Sequence, residues 1–232
     1  MNPLNSEPES QLPVRLTQIA DQLRALSSTG LQFTDDPYQI ERYHTIVGLA
    51  AQLLSEVEKR PLPEIERIFF DDLDLKTPLS VVDTAVFDES DRLLLIQRAD
   101  NGLWAMPGGA CDVGEAPASG GAREVWEETG YVCSIRGLIG VFDSRLCNQR
   151  SSRHLYHFLF AGRVTDGAPR TTLETLDVRW FSPAHIPWDS MSPGHTARIR
   201  HALAWQQDPT LTPFFDDEGW SPPPDSLHHS NE

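Results

Sequence analysis

One run of residues limits this chain more than any other feature: GACDVGEAPASGGAREVWEETGY, from Gly109 to Tyr131. Pro117 suits a first helical turn and Gly130 suits the left-handed position just past a helix end, so one helix is predicted within 115–129. At about 100° per residue, Ala118, Ala122, Val125 and Thr129 share a face fit to pack on a sheet. Glu127 lies about 60° to one side of Glu124 and Glu128 about 40° to the other, crowding three carboxylates onto one face. The glycine-rich loop ahead of the helix can fold Glu115 back toward them.

Such crowding is unfavourable on its own. Like charges one turn apart each cost ~0.2–0.5 kcal/mol, and these sit toward the negative end of the helix, where cations are preferred. Arg123 is one positive charge among four carboxylates. A stretch that breaks local rules is a candidate for function. The physical remedy is a hard divalent cation with oxygen ligands, Mg2+ or Mn2+. Such an ion can hold phosphates, offset charge on a leaving group and acidify a bound water.

The run resembles the Nudix box: Gly, five residues, Glu, seven residues, then Arg-Glu, an aliphatic residue, any residue, Glu-Glu, any residue, Gly and an aliphatic residue. Gly109, Glu115, Arg123, Glu124, Val125, Glu127, Glu128 and Gly130 all match. The seven fixed polar and glycine positions would coincide by chance on the order of once in a hundred million windows. Tyr131 departs from the pattern, in a place that tests core packing more than chemistry. The resemblance implies that Glu124, Glu127 and Glu128 bind metal, that Glu115 supports them, and that Arg123 orients the glutamates. It also extends to the lead-in from Trp104 through Gly108 and Gly109. The implied fold is α+β, a Nudix α/β/α sandwich with a mixed sheet.

The rest of the chain supplies an architecture. Residues 1–10 read as a disordered tail. Over 11–62, Leu12, Leu16, Ile19, Leu23 and Leu26 recur at helical spacing up to Gly30, and a second helix starts with Asp36 as N-cap and Pro37 at its first position. This all-α hairpin is too small to bury both faces alone and should pack on the main domain or on a second copy. Residues 63–77 read as an acidic linker with one helical turn, and 78–205 as the Nudix domain. Within it, strands are predicted at Leu79–Phe87, Leu93–Gln97, Ser134–Phe142, Leu155–Val164 and Val178–Phe181, with a last helix over 194–206. The proline-rich acidic stretch 206–232 reads as disordered or loosely attached.

A helical hairpin ahead of a Nudix domain carrying Gly109, Asp112, Val113, Gly114, Glu115 and Pro117 is similar to a bacterial subgroup. That subgroup acts on nucleoside diphosphates linked to another moiety X, including CDP-choline and ADP-ribose hydrolases. The resemblance implies hydrolysis of the diphosphate bridge to a nucleoside monophosphate and phospho-X, and a homodimer formed through the hairpin. Two other readings stay open: a pyrophosphatase that sanitises nucleoside triphosphates, and a Nudix-fold ligand sensor without catalysis.

Composition narrows the partners. With 19 basic against 34 acidic residues the net charge is −15, which repels nucleic acid and anionic membranes and leaves a small anionic substrate gripped locally. The polar, acidic N-terminus resembles no targeting peptide, so a cytoplasmic location is expected. Cys111, Cys133 and Cys147 have no metal-ligand or disulfide spacing and read as reduced thiols. Glu174, six residues before Trp180, is the first candidate general base, with a box glutamate as the alternative. Arg98, Arg145, Arg150 and Arg153 are candidate phosphate ligands. Residues 147–153 lack the proline- and histidine-containing loop expected in the subgroup. His154 and His157 read as packing or surface residues.

Overall fold

The computed structural model describes residues 12–74, 76–147, 154–219 and 221. The expected tail 1–10, Arg150 and Arg153 lie outside the described residues. In chain order the elements are α1 (Leu12–Gln32), α2 (Pro37–Glu58), α3 (Leu62–Phe70), β1 (Leu79–Phe87), β2 (Leu93–Arg98), β3 (Trp104–Ala105), β4 (Gly108–Ala110), α4 (Pro117–Thr129), β5 (Tyr131–Asp143), β6 (Leu155–Gly167), β7 (Thr175–Phe181), α5 (His195–Gln207) and β8 (Phe214–Phe215).

The N-terminal helices close around a core of their own: Ala20, Val47, Ala50, Ala51 and Leu54, joined by Ile65 and Phe69 of α3. Asp36 caps α2 as expected, accepting the Tyr38 N–H at 3.0 Å. Two expectations change here. Gly30 does not end α1, which continues to Gln32. A Cβ at Gly30 would lie 2.3 Å from the Tyr43 ring, so this glycine lets α1 and α2 approach closely. The stretch read as a linker over 63–77 instead holds the nine-residue α3. Proline in its first turn gives up only an N–H that has no helical partner anyway, and Ile65 and Phe69, four apart, present one apolar face. Leu12, Ile19, Leu26 and Phe33, seven apart along α1 and its end, remain exposed.

The second unit is built on one mixed sheet. Its strand order is β3-β2-β1-β6-β5-β8, with β4 also pairing to β1 and β7 to β2. The pairs β1–β6 and β5–β8 are parallel and the others antiparallel. Strand alternation sends Ala85, Phe87, Leu93 and Leu95 to one face, where they pack with Ile199 and Ala202 of α5. Val86 and Leu94 point to the other face and pack with Val125 of α4. The expected helix–sheet–helix sandwich is therefore present, with α4 and α5 on opposite faces.

The stretch after residue 206 is not loose throughout. Phe214 and Phe215 add β8 to the sheet beside β5, and Phe214 stacks on Phe142 at 4.9 Å between ring centroids. The Asp216 carboxylate accepts the Asp143 N–H at 2.8 Å. The Phe214 ring, packed against Phe142 and His201, supplies the apolar area that docks this segment, an anchor obscured by its proline and acidic content. The described helices include none long and apolar enough to cross a membrane.

Candidate active site

β1 and α4 carry the site between them. β4 lies antiparallel on β1, with Asp83 opposite Gly108 and Val82 opposite Gly109. Glycine is needed at both places by close approach. A Cβ on Gly108 would meet the Val82 carbonyl at 2.2 Å, and one on Gly109 would meet a Glu124 carboxylate oxygen at 2.5 Å. The α4 helix begins with Pro117 and ends at Gly130, whose φ of 79° is the left-handed value expected from the sequence. Val125 and Thr129 are fully buried under it, as their spacing predicts.

The carboxylates divide by environment. Arg123 uses all five of its N–H groups: two to Glu115 at 3.0 Å, one to Glu124 and one to Glu127 at 2.9 Å, and one to the Ala110 carbonyl at 3.1 Å. Its pKa is raised by these bonds, those to Glu115 first. Glu115 is correspondingly held below the usual carboxylate range by Arg123. Glu128 makes no bond to Arg123. Its carboxylate accepts the Gly108 N–H at 2.8 Å. Only 6% of Glu128 and 8% of Glu124 is exposed, so burial raises the pKa of both, Glu128 to about 8. The negative charges of Glu124 and Glu174 add to the rise at Glu128, while the Gly108 amide and Arg98 oppose it.

Glu174 and Arg98 are brought to this cluster. The Glu174 carbonyl accepts the Ala99 N–H at 2.8 Å, and the neighbouring Thr175 hydroxyl donates to the Glu128 carbonyl at 3.0 Å. The start of β7 is thereby sewn to the end of β2 and the C-terminal turn of α4. Arg98 pairs with Asp100 at 2.7 Å and lies within the fields of Glu128 and Glu174. Arg145 goes elsewhere. Its partners are Asp143 and Glu218, in an open groove also lined by Tyr156, Phe215 and Asp216, and it makes no hydrogen bond or ion pair with a box glutamate. Arg145 as a phosphate ligand of the box thus gains no support, because its guanidinium is engaged by Asp143 and Glu218 in that groove and by none of the box glutamates.

Tyr131, the departure from the box pattern, packs in the small core beside α4, and its hydroxyl accepts the Trp180 indole N–H at 3.3 Å. An aromatic residue is tolerated because its one polar atom has a partner. The three cysteines are free thiols.

The oxygen-rich donor set suits a hard divalent cation, and the buried, incompletely neutralised Glu128 favours one beside it. Among the described residues, however, no three acidic, histidine or cysteine side chains converge as a ready cage, since Arg123 stands between the box carboxylates. Sequence reasoning missed a buried group behind β4: Asp83, His195 and Arg198, with His157. The available signal was a charged aspartate in the middle of the mostly apolar strand β1, LSVVDTAVF.

Comparison with known proteins agrees with this geometry. The NUDIX domain profile matches residues 77–206, and that of a UDP-X-like, N-terminal oligomerisation domain matches residues 15–69. A putative ADP-ribose pyrophosphatase, YjhB of Bacillus subtilis, is 31% identical over 198 residues, covering 85% of this chain and 95% of its own. A putative 8-oxo-dGTP diphosphatase of the same organism is 35% identical over 128 residues, covering 55% of this chain and 81% of its own. The crystal structure of a UDP-X diphosphatase superposes with a TM-score of 0.55 at 25% identity, covering 88% of this chain and 99% of that one. With the box, the fold and the helical extension in agreement, the chain belongs to the Nudix family of pyrophosphohydrolases.

Proposed function

We propose that this enzyme uses Mg2+ or Mn2+ to hydrolyse the diphosphate bridge of a nucleoside diphosphate linked to a second moiety, of the ADP-ribose or CDP-choline type. The observation that carries the proposal is the buried Glu128, which has no ion-pair partner among the described residues, beside Glu124, which shares Arg123 with two other carboxylates. Glu124, Glu127 and Glu128 would hold the metal, which when bound supplies charge for the phosphates and lowers the pKa of water. Loading requires Arg123 to yield part of its hold on Glu124 and Glu127. Arg123 and Glu115 otherwise keep the helix face in order, and the Gly108 amide orients Glu128. Arg98 faces the incoming phosphates. Glu174, exposed at the rim, accepts the proton of the attacking water, or a box glutamate does so. Water adds at one phosphorus, the bridging P–O bond breaks, and a nucleoside monophosphate and phospho-X leave.

The substrate class rests on the extent of similarity. YjhB matches across both the helical and the Nudix units, whereas the putative 8-oxo-dGTP diphosphatase matches over about half of this chain. The exposed apolar face of α1 supports assembly of two copies through the helical unit, as the oligomerisation-domain match suggests.

The test is turnover with Mg2+ and with Mn2+ on ADP-ribose, CDP-choline, sugar nucleotides and nucleoside triphosphates. Fast cleavage of one diphosphate-linked compound is expected, with Glu128→Gln slowing it by roughly 10²–10³-fold while the protein stays folded. Pyrophosphate released from triphosphates alone would replace this proposal with the sanitising reaction. Tight binding without turnover would point to a sensor.

A further inference from the structure

The α5 face of β1 carries a second charged cluster, separated from the box by the strand itself. Asp83 is 4% exposed, and its carboxylate meets His157 Nδ1 at 2.8 Å and Arg198 Nε at 3.0 Å. Arg198 is 1% exposed; its Nε meets Asp83 as an ion pair only, and neither Nε nor Nη1 has a hydrogen-bond partner. Nearly one helical turn before it, His195 accepts the Met106 N–H through Nδ1 at 3.3 Å. Burial, followed by the charge of Arg198, lowers the His195 pKa to about 3, so the ring is neutral and Nδ1 is available to accept.

These contacts bear on three consecutive residues. Met106 is held by His195. The Pro107 carbonyl accepts the Thr84 N–H at 2.9 Å. Gly108 lies flush on β1, where a Cβ would come 2.9 Å from Asp83 Cα. The Gly108 N–H then donates to Glu128. A buried ion pair contributes little net stability over apolar residues of similar size, so fold stability alone does not account for this one.

We propose that His195 and Arg198 are positioning residues for the metal site: by fixing Met106–Gly108 and the Asp83 backbone beneath it, they aim the Gly108 amide that orients Glu128. Neither side chain touches substrate or metal. Both act through the backbone of a strand that Glu128 reads from the opposite face. The proposal rests on the divalent-cation reading of the box.

The experiment measures Mn2+ binding to the full-length protein by electron paramagnetic resonance, together with kcat and KM, for wild type, His195→Leu and His195→Asn. Leucine removes the acceptor, and asparagine offers an amide oxygen near the Nδ1 position. His195→Leu is expected to bind Mn2+ about tenfold more weakly and to lose kcat with KM little changed, and His195→Asn to recover most of both. A folded His195→Leu protein with wild-type Mn2+ affinity and kcat overturns the proposal. Equal losses in both variants also overturn it, because they mark a packing role. Should His195→Leu not fold, Arg198→Lys takes its place, with Mn2+ binding weakened about threefold expected and unchanged binding counting against the proposal. Wild-type protein that binds no Mn2+ removes the cation reading and this proposal together, whereas variant-specific outcomes decide the proposal alone.

Discussion

Two charged clusters lie on opposite faces of the same strand, and they are built on opposite principles. On the α5 face, Asp83 is matched by Arg198 and His157, and all three are buried. Burial alone would raise the Asp83 pKa, but Arg198 and His157 outweigh it and hold the carboxyl well below its ordinary range. On the α4 face, Glu115, Glu124 and Glu127 share Arg123, and buried Glu128, which makes no bond to it, is pushed upward to about 8. The first cluster is locally balanced. The second has a deficit of positive charge that only something outside the chain can fill. Burial is common to both, so the availability of an internal counter-ion separates a cluster that holds structure from one that awaits a ligand.

The largest expected effect breaks the balanced side. Arg198→Met leaves Asp83 buried without its main partner and should cost about 3–5 kcal/mol of unfolding free energy in denaturant titration. Adding Asp83→Asn should recover a substantial part of that loss. A loss under about 1 kcal/mol would mean that the cluster is not electrostatically coupled.

A pH series sharpens the contrast, because the two clusters have opposite signs. In metal-free protein, Glu128 titrates near 4.5 when unfolded and near 8 when folded. The folded state therefore binds more protons in that window. Stability should fall as pH rises from about 4.5 to 8, by a few kcal/mol at most, and be fully lowered above it. Asp83 behaves inversely: its contribution is present above its unfolded value of 3.8 and is lost as pH falls further. Thermal midpoints in chelator should show both limbs, and Glu128→Gln should flatten only the upper one. An upper limb unchanged in that variant would assign the deficit to another group.

The smallest effect comes from charges that water screens. Arg145 also pairs with the exposed Glu218 at 3.5 Å. Glu218→Gln should change stability by less than about 0.5 kcal/mol by chemical denaturation. A loss of several kcal/mol would show that exposure is not what separates this pair from Asp83–Arg198.

Much of the site was legible in the residues. The box helix, its Pro117 start and Gly130 end, and its packing face all follow from local spacing. So does the crowding of Glu124, Glu127 and Glu128, because these residues are a turn or less apart. Glu174 and Arg98 were nameable as candidates, but their approach to Glu128 depends on the pairing of β7 with β2. The misreadings share one cause. Local preference makes Gly30 a stop, residues 63–77 a linker and the stretch after 206 loose, and in each case a tertiary partner reverses it. Tyr43 lies over Gly30, the helical core receives Ile65 and Phe69, and Phe142 receives Phe214.

By itself, then, the sequence determined what short-range geometry governs: helix limits, strand alternation, and the excess of carboxylates over cations on one helix face. The tertiary structure alone decided which charges are balanced. Asp83 is 115 residues from Arg198 and 74 from His157, and no local pattern announces that they meet. Glu128 finds its amide donor 20 residues away, across the edge of the sheet. Desolvation and counter-ions depend on what the folded chain brings within a few ångströms, and those neighbours come from strands and helices distant in sequence.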